Sequence, residues 1–383
     1  MKKLSLDSAL AKITKEIEGK LQIEIVGIEK VLKIYGSNAN SFIIKAVNKN
    51  RTCLSFFLKF LRNNELDEEI NGTETLSKYI PTPQIVLTSK NNFFTSKWIL
   101  YEHVKGSLFT EKFINHEQKN SNIDNLLELE RRKESILEDM YTKTKGRISF
   151  NEYLNLRTNA LFSRRINGSR FNEFYTFRKD CDSRYFNTKI KVNNHVFDKN
   201  INDIFKHIRF KYLNANNKDR FVSSVIGQGD AHHGNIIVTD NDKIWFIDNE
   251  YFGNIPSFME LSKPYYNDLI GELFFHYNIL LSEYFELTTI QENENQLLIK
   301  IKPKRRLSSR IDITKIKLRS RNKFITGQKD IDFLSLNDYL IMCHTLTKNP
   351  NYYEEKTRYL FLAFTLILAD FEPLNPESLY SFF

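Results

Sequence analysis

Three cysteines in 383 residues are too few and too scattered to organise this chain. Cys53, Cys181 and Cys343 lie far apart and are odd in number, so no disulfide framework is expected. No partner or metal pattern surrounds Cys181, and the adjacent His232-His233 pair lacks a Cys or His set at zinc spacing. A transition-metal site is therefore not expected. There is no run of eighteen or more apolar residues, which removes the sequence signal of a membrane-spanning helix. The Met-Lys-Lys start runs into Asp7, Lys12 and Glu16 rather than an apolar leader with a small-residue cleavage site, so a cytoplasmic location is expected. Internal repeats are absent too. What is present is a globular composition, 41% apolar and 13% aromatic, on a chain long enough for two lobes with cores of their own.

The net charge of +9 is local. Lys300–Lys323 carries eleven Lys or Arg against a single acid, Asp312, which accounts for the whole excess. Two alternating stretches, Leu298–Lys302 and Ile311–Lys317, flank Arg305, Arg306 and Arg310. That period-two pattern predicts a basic β-hairpin over about 296–323. It could be a solvated hairpin, a docking surface for an anionic partner or substrate, or a nucleic-acid contact. Nucleic acid is disfavoured, because no RNA-binding signature and no stacking aromatic fall within 300–323.

The most specific feature is G-D-A-H-H-G-N at 229–235, followed by I-D-N-E at 247–250. Val225-Ile226 predict a strand opening into a tight loop bracketed by Gly229 and Gly234. Ile236–Val238 and Lys243–Ile247 then read as two short strands joined by a polar turn. A hairpin of that kind returns Asp248 toward Asn235 and Asp230. Carboxylate and amide oxygens so gathered suit magnesium, a hard cation completed by water and phosphate oxygens.

This segment resembles the catalytic loop and metal strand of the aminoglycoside phosphotransferase and choline kinase family, whose members have a protein-kinase-like fold. The family pattern is His-Gly-Asp, Leu-His-Pro-Gly-Asn, then a strand ending in Ile-Asp. On that resemblance Asp230 is the catalytic aspartate, Asn235 and Asp248 are the magnesium ligands, and His232 and Gly234 fall on pattern. The chain departs at Gln228, where the family has a loop-bracing His. Glu250, two residues after Asp248, is a candidate to support a second metal or to cap the following segment.

The resemblance also implies a preceding β-rich nucleotide lobe, and Leu21–Val31, Ser41–Val47 and Thr52–Phe60 are suited to strands. Lys59 then occupies the third-strand lysine position that touches the α- and β-phosphates. A helix over 64–79, ending before Ile80-Pro81-Thr82-Pro83, carries its expected partner Glu69, with Glu65 in reserve one turn earlier. Trp98–Gly106 resembles the hinge, where Glu102 and Val104 would meet adenine through main-chain groups. Gly36–Ser41 contains no G-x-G-x-x-G, but Ser37 and Ser41 are candidate phosphate contacts or simple turn residues.

The expected architecture is therefore α+β and two-lobed, with a nucleotide-binding lobe at 1–104 and a mainly helical catalytic and acceptor-binding lobe at 105–383. The implied activity is magnesium-dependent transfer of the γ-phosphate of ATP, or GTP, to a hydroxyl of a small molecule such as a sugar or other metabolite alcohol. The alternatives are a nucleotide-binding pseudokinase without turnover and a kinase for an anionic glycan or a protein hydroxyl.

Overall fold

In a computed structural model of the chain, the described residues are 6–31, 40–61, 65–89, 97–119, 121–149, 152–153, 186–213, 221–275, 279–293, 296–325, 336–347 and 354–383. In chain order the principal elements begin with α1 (Leu6–Leu21), β1 (Ile23–Lys30), β2 (Ser41–Asn48), β3 (Cys53–Leu61), α2 (Leu66–Leu76), β4 (Ile85–Thr88), β5 (Lys97–Glu102) and β6 (Ser107–Leu108). They continue with α3 (Phe109–Lys119), α4 (Asp124–Thr144), β7 (Gly146–Ser149), β8 (Lys189–Val192), β9 (His195–Val196), α5 (Ile201–Leu213), β10 (Phe221–Gly227), β11 (Ile236–Val238) and β12 (Ile244–Phe246). Last come β13 (Gly253–Pro256), α6 (Ser257–Tyr266), β14 (Phe285–Asn293), β15 (Gln296–Pro303), α7 (Ser308–Arg321), α8 (Leu336–Thr347) and α9 (Glu355–Asp370). The chain forms two compact units, 1–112 with 234–252 and 113–233 with 253–383.

The first unit is built on an antiparallel sheet in the order β1-β2-β3-β5-β4. Alternation in β2 and β3 sends Phe42, Ile44, Phe56, Leu58 and Phe60 to one face, where they pack with Ile13 and Ile17 of α1. Strand β5 is apolar on both sides because both faces are covered. Trp98 and Leu100 join the α1 side, while Ile99 and Tyr101 pack with Leu61 and with Leu66 of α2. The register sets Lys59 opposite Ile99 on β5 and opposite Ser41 on β2. The hairpin β11–β12 completes the unit and pairs with β6.

The second unit contains the sheet β13-β10-β7 and a four-stranded sheet β14-β15-β8-β9, in which β15 runs parallel to β8. Helices supply most of its core. Tyr265, Leu269, Phe274, Leu340, Phe364 and Ile367 are among its buried members, the last two from the apolar helix α9.

The basic segment differs from expectation. Gln296–Pro303 is a strand, but it pairs back to β14, and 308–321 is the helix α7 rather than a returning strand. The isoleucines at 311, 313 and 316 mimic alternation, whereas Arg310, Thr314, Lys317 and Arg321 lie three or four residues apart and form one buried helical face. The three cations are ion-paired inside the second unit. Arg310 meets Glu117 at 2.7 Å, Lys317 meets Glu130 at 2.6 Å and Asp268 at 2.9 Å, and Arg321 meets Glu134 at 2.7 Å. Arg310, Lys317 and Arg321 are thereby withdrawn from any docking face over Lys300–Lys323. Desolvated cations need charged partners, and acids from α3, α4 and the 267–272 turn provide them.

Candidate active site

In the first unit, three segments converge on one ammonium group. Lys59 Nζ, near the end of β3, donates to Glu69 Oε2 at 3.1 Å and to Asp248 Oδ1 at 2.5 Å. Glu69 of α2 is fully buried and accepts a second hydrogen bond, 2.6 Å, from the Tyr101 hydroxyl. Burial opposes the charge on Lys59, but Asp248 and then Glu69 outweigh it and hold the ammonium protonated well above its ordinary range. Glu69, rather than its reserve Glu65, makes the contact; Glu65 sits at the helix N-terminus and accepts the Glu69 N–H.

Local geometry fixes Asp248 as well. Ile236 pairs with Phe246, and the Ile247 N–H donates to the Asn235 carbonyl at 3.0 Å, so Asp248 leaves the hairpin beside Asn235. Asp248 itself has φ 63°, a left-handed conformation that Asp and Asn adopt more readily than most residues. The next residue is tied to α2, where Asn249 Nδ2 donates to Thr73 Oγ1 at 3.3 Å. Gly72 allows that approach, since a Cβ there would stand 2.2 Å from the Asn249 carbonyl oxygen. Glu69 and Asp248 are thus held at a set spacing by neighbours one turn away on α2.

Carboxylate oxygens of Glu69, Asp248 and Glu250 lie within 4.8 Å of one another. Burial, and next the charge of Asp248, push the Glu250 carboxyl up to about 7, with Lys59 opposing. All these donors are hard oxygens, with the buried amide of Asn235 beside them, and that chemistry fits magnesium rather than a soft metal.

The second unit holds the loop that carries Asp230. Its Oδ1 contacts the Lys263 ammonium and lies 3.5 Å from His232 Nε2. Gly229 has φ 76°, and its N–H donates to Glu260 Oε1 at 2.8 Å. Glu260 reaches the loop because Gly227 is bare; a Cβ there would fall 2.4 Å from the Glu260 carboxyl carbon. The His233 N–H donates to Asp268 Oδ1 at 3.0 Å, and its Nε2 lies 2.9 Å from Glu130 Oε2 and 3.1 Å from Lys317 Nζ. Burial, assisted by Lys317 and Lys133 and opposed by Asp268 and Glu130, lowers His233 to about 4, so the imidazole is neutral. Gln228 is buried. The loop that follows it is held by Glu260 and Asp268.

No protein-family model matches the sequence, and no curated protein matches it. Solved structures do. The aminoglycoside phosphotransferase APH(4)-Ia, a thermostable variant in ternary complex with ADP and hygromycin B, matches over 95% of this chain and 97% of its own, with 7% identity and a TM-score of 0.51. Another variant of that enzyme, with AMP-PNP and hygromycin B, covers 96% and 98% at 8% identity and a TM-score of 0.50. The choline kinase LicA from Streptococcus pneumoniae covers 98% and 100% at 13% identity, with a TM-score of 0.46.

The chain has the aminoglycoside phosphotransferase fold. Its β-rich first part and helical second part are the kinase-like α+β architecture expected from the motifs. Within this phosphotransferase fold Lys59, Glu69 and Asp248 are brought together, and Asn235 is adjacent through the hairpin. Ser41 lies on β2 opposite Lys59, whereas Ser37 lies outside the described residues. Glu102 donates its N–H to the Gln84 carbonyl at 3.0 Å, so any hinge role belongs to its carbonyl; Val104 follows half-buried. Sequence inspection missed Tyr101, Glu260 and Lys263. Tyr101 lay inside the hinge motif, but Lys263 is 33 residues from Asp230 with no motif to link them.

Proposed function

We propose that this protein is a magnesium- and nucleoside-triphosphate-dependent phosphotransferase that moves the γ-phosphate of ATP, or GTP, to a hydroxyl of a small molecule. The observation that carries this reading is the Lys59 ammonium held by Glu69 and Asp248 in a chain of this fold. Support also comes from the structurally similar enzyme, which was solved with ADP and hygromycin B. The acceptor we favour is a sugar or other metabolite alcohol. The exposed Lys300, Lys302 and Lys304 leave room for a smaller anionic contact at the end of β15.

Each residue has a defined task. Lys59, oriented by Glu69, positions the α- and β-phosphates, and Tyr101 in turn orients Glu69. Asp248 and Asn235 would hold magnesium, with Glu250 in support, and the metal would supply positive charge to offset that of the phosphate oxygens. Asp230 receives the acceptor hydroxyl and takes its proton, and Glu260 and Asp268 fix the loop that carries it. Rate comes from alignment and charge rather than from covalent chemistry by the protein.

The test is nucleotide turnover with labelled ATP and a metabolite extract, with and without magnesium. Turnover should require the metal and disappear in Asp230→Ala and Asp248→Ala while both variants stay folded. Tight nucleotide binding with no turnover across the extract would instead favour a pseudokinase.

A further inference from the structure

Lys263 has no assigned part, yet it contacts the one carboxylate on which transfer depends. Both side chains are largely withdrawn from solvent, Lys263 at 10% and Asp230 at 15% exposure. Helix α6 places it there. Glu260, one turn earlier on the same face, binds the Gly229 N–H and accepts from the Tyr141 hydroxyl at 2.7 Å. The Arg321 guanidinium donates to the Glu260 carbonyl, tying α6 to α7. The helix therefore grips the loop twice, by Glu260 on its backbone and by Lys263 on its reactive side chain. A lysine so fixed is not a solvated surface cation.

We infer that Lys263 positions Asp230 and meets its charge, and that the acceptor is accordingly an uncharged or acidic sugar-type polyol rather than an amine-bearing one. The inference rests on the phosphotransferase reading above. Two physical consequences follow from the pairing. A carboxylate held by an ammonium keeps one orientation, which preserves the approach of the acceptor hydroxyl. With its charge already met, the carboxylate offers little attraction to an acceptor cation, which would have to compete with Lys263 for Asp230. An uncharged hydroxyl needs only one oxygen of the carboxylate and leaves the pair intact.

The experiment compares wild type, Lys263→Met and Lys263→Arg in magnesium-ATP turnover, with water, glucose, glucosamine and glucuronate as acceptors. Lys263→Met should lower kcat about 10- to 100-fold while KM for ATP stays within about threefold, because the nucleotide contacts lie elsewhere. Lys263→Arg keeps the charge and should recover most of the rate. Wild type should use glucose or glucuronate at least about tenfold better than glucosamine, and Lys263→Met should narrow that ratio. An unchanged kcat in folded Lys263→Met overturns the positioning role, as does a loss that arginine fails to restore. Preference for glucosamine, or use of none of the three sugars while hydrolysis persists, overturns the acceptor class. Absence of magnesium-dependent ATP turnover in wild type, water included, sinks the phosphotransferase reading itself and this inference with it.

Discussion

Replacing Lys317 by Met tests the buried charge network that anchors the Asp230 loop. The ammonium is fully buried and touches three groups that are also inaccessible: Glu130 at 2.6 Å, Asp268 at 2.9 Å and His233 at 3.1 Å. Methionine preserves much of the volume but strands part of the negative charge. Glu130 retains Lys133 at 2.8 Å, so its desolvation is not left wholly uncompensated. Asp268 keeps only the His233 backbone N–H and imidazole among these partners. Breaking a buried pair by removing one member costs about 3–5 kcal/mol, and the surviving Lys133 contact puts the expected loss near the lower end, about 3 kcal/mol. Against a total stability of about 5–15 kcal/mol that is a large fraction. For a unit of this size it lowers the melting midpoint by roughly 6–12 °C. The measurement should be calorimetry or far-ultraviolet circular dichroism. Both tryptophans, Trp98 and Trp245, lie in the first unit, so their fluorescence would report the wrong half. Exposed Lys302→Met is the control, with a change inside about 0.5 kcal/mol. Lys317→Met within 1 kcal/mol of wild type would refute the view that this network is held together by its paired charges. Adding Glu130→Gln to Lys317→Met should recover part of the loss, since it removes a charge left in excess.

Other outcomes are equally checkable. His233 titrates near 4 when folded against an ordinary 6.5, so between those values the unfolded chain binds the extra proton and stability falls as pH drops from 6.5 to 4. That contribution is at most about 3 kcal/mol, and urea titrations of His233→Gln should show a correspondingly flatter pH dependence. Lys59→Met should weaken ATP binding, measured by calorimetry, and a milder loss is expected for Tyr101→Phe, which removes only one hydrogen bond to Glu69. Gly72→Ala would ordinarily stabilise a helix by about 0.5–1 kcal/mol. Here the added Cβ meets the Asn249 backbone, so chemical denaturation should show a net loss and metal-dependent turnover should fall.

Much of the site was legible because its polar groups are concentrated in short runs. Gly229–Glu250 held the Asp230 loop and the proposed magnesium ligands within 22 residues, and their apolar runs predicted both β11 and β12. Lys59 and Glu69 are the pair that the family resemblance implies, on the third strand and on the helix before Pro81, and the two do meet. The basic segment was misread because isoleucine spacing along 311–316 satisfies a strand pattern as well as a helical one. Only the placement of acids on α3, α4 and the 267–272 turn settles which face is buried.

By itself, then, the sequence determined the β-rich first part, the Asp230 loop and the hairpin, which depend on spacing within one strand or one loop that local chain geometry dictates, while the Lys59–Glu69 pair was implied by the family resemblance. Tertiary structure alone decided that Glu260 and Lys263 hold the loop, that Tyr101 orients Glu69, and that Arg310, Lys317 and Arg321 are core residues rather than a docking face. The physical reason is that a charge can be buried only where its counter-charge is buried too, and those counter-charges come from segments up to 193 residues away.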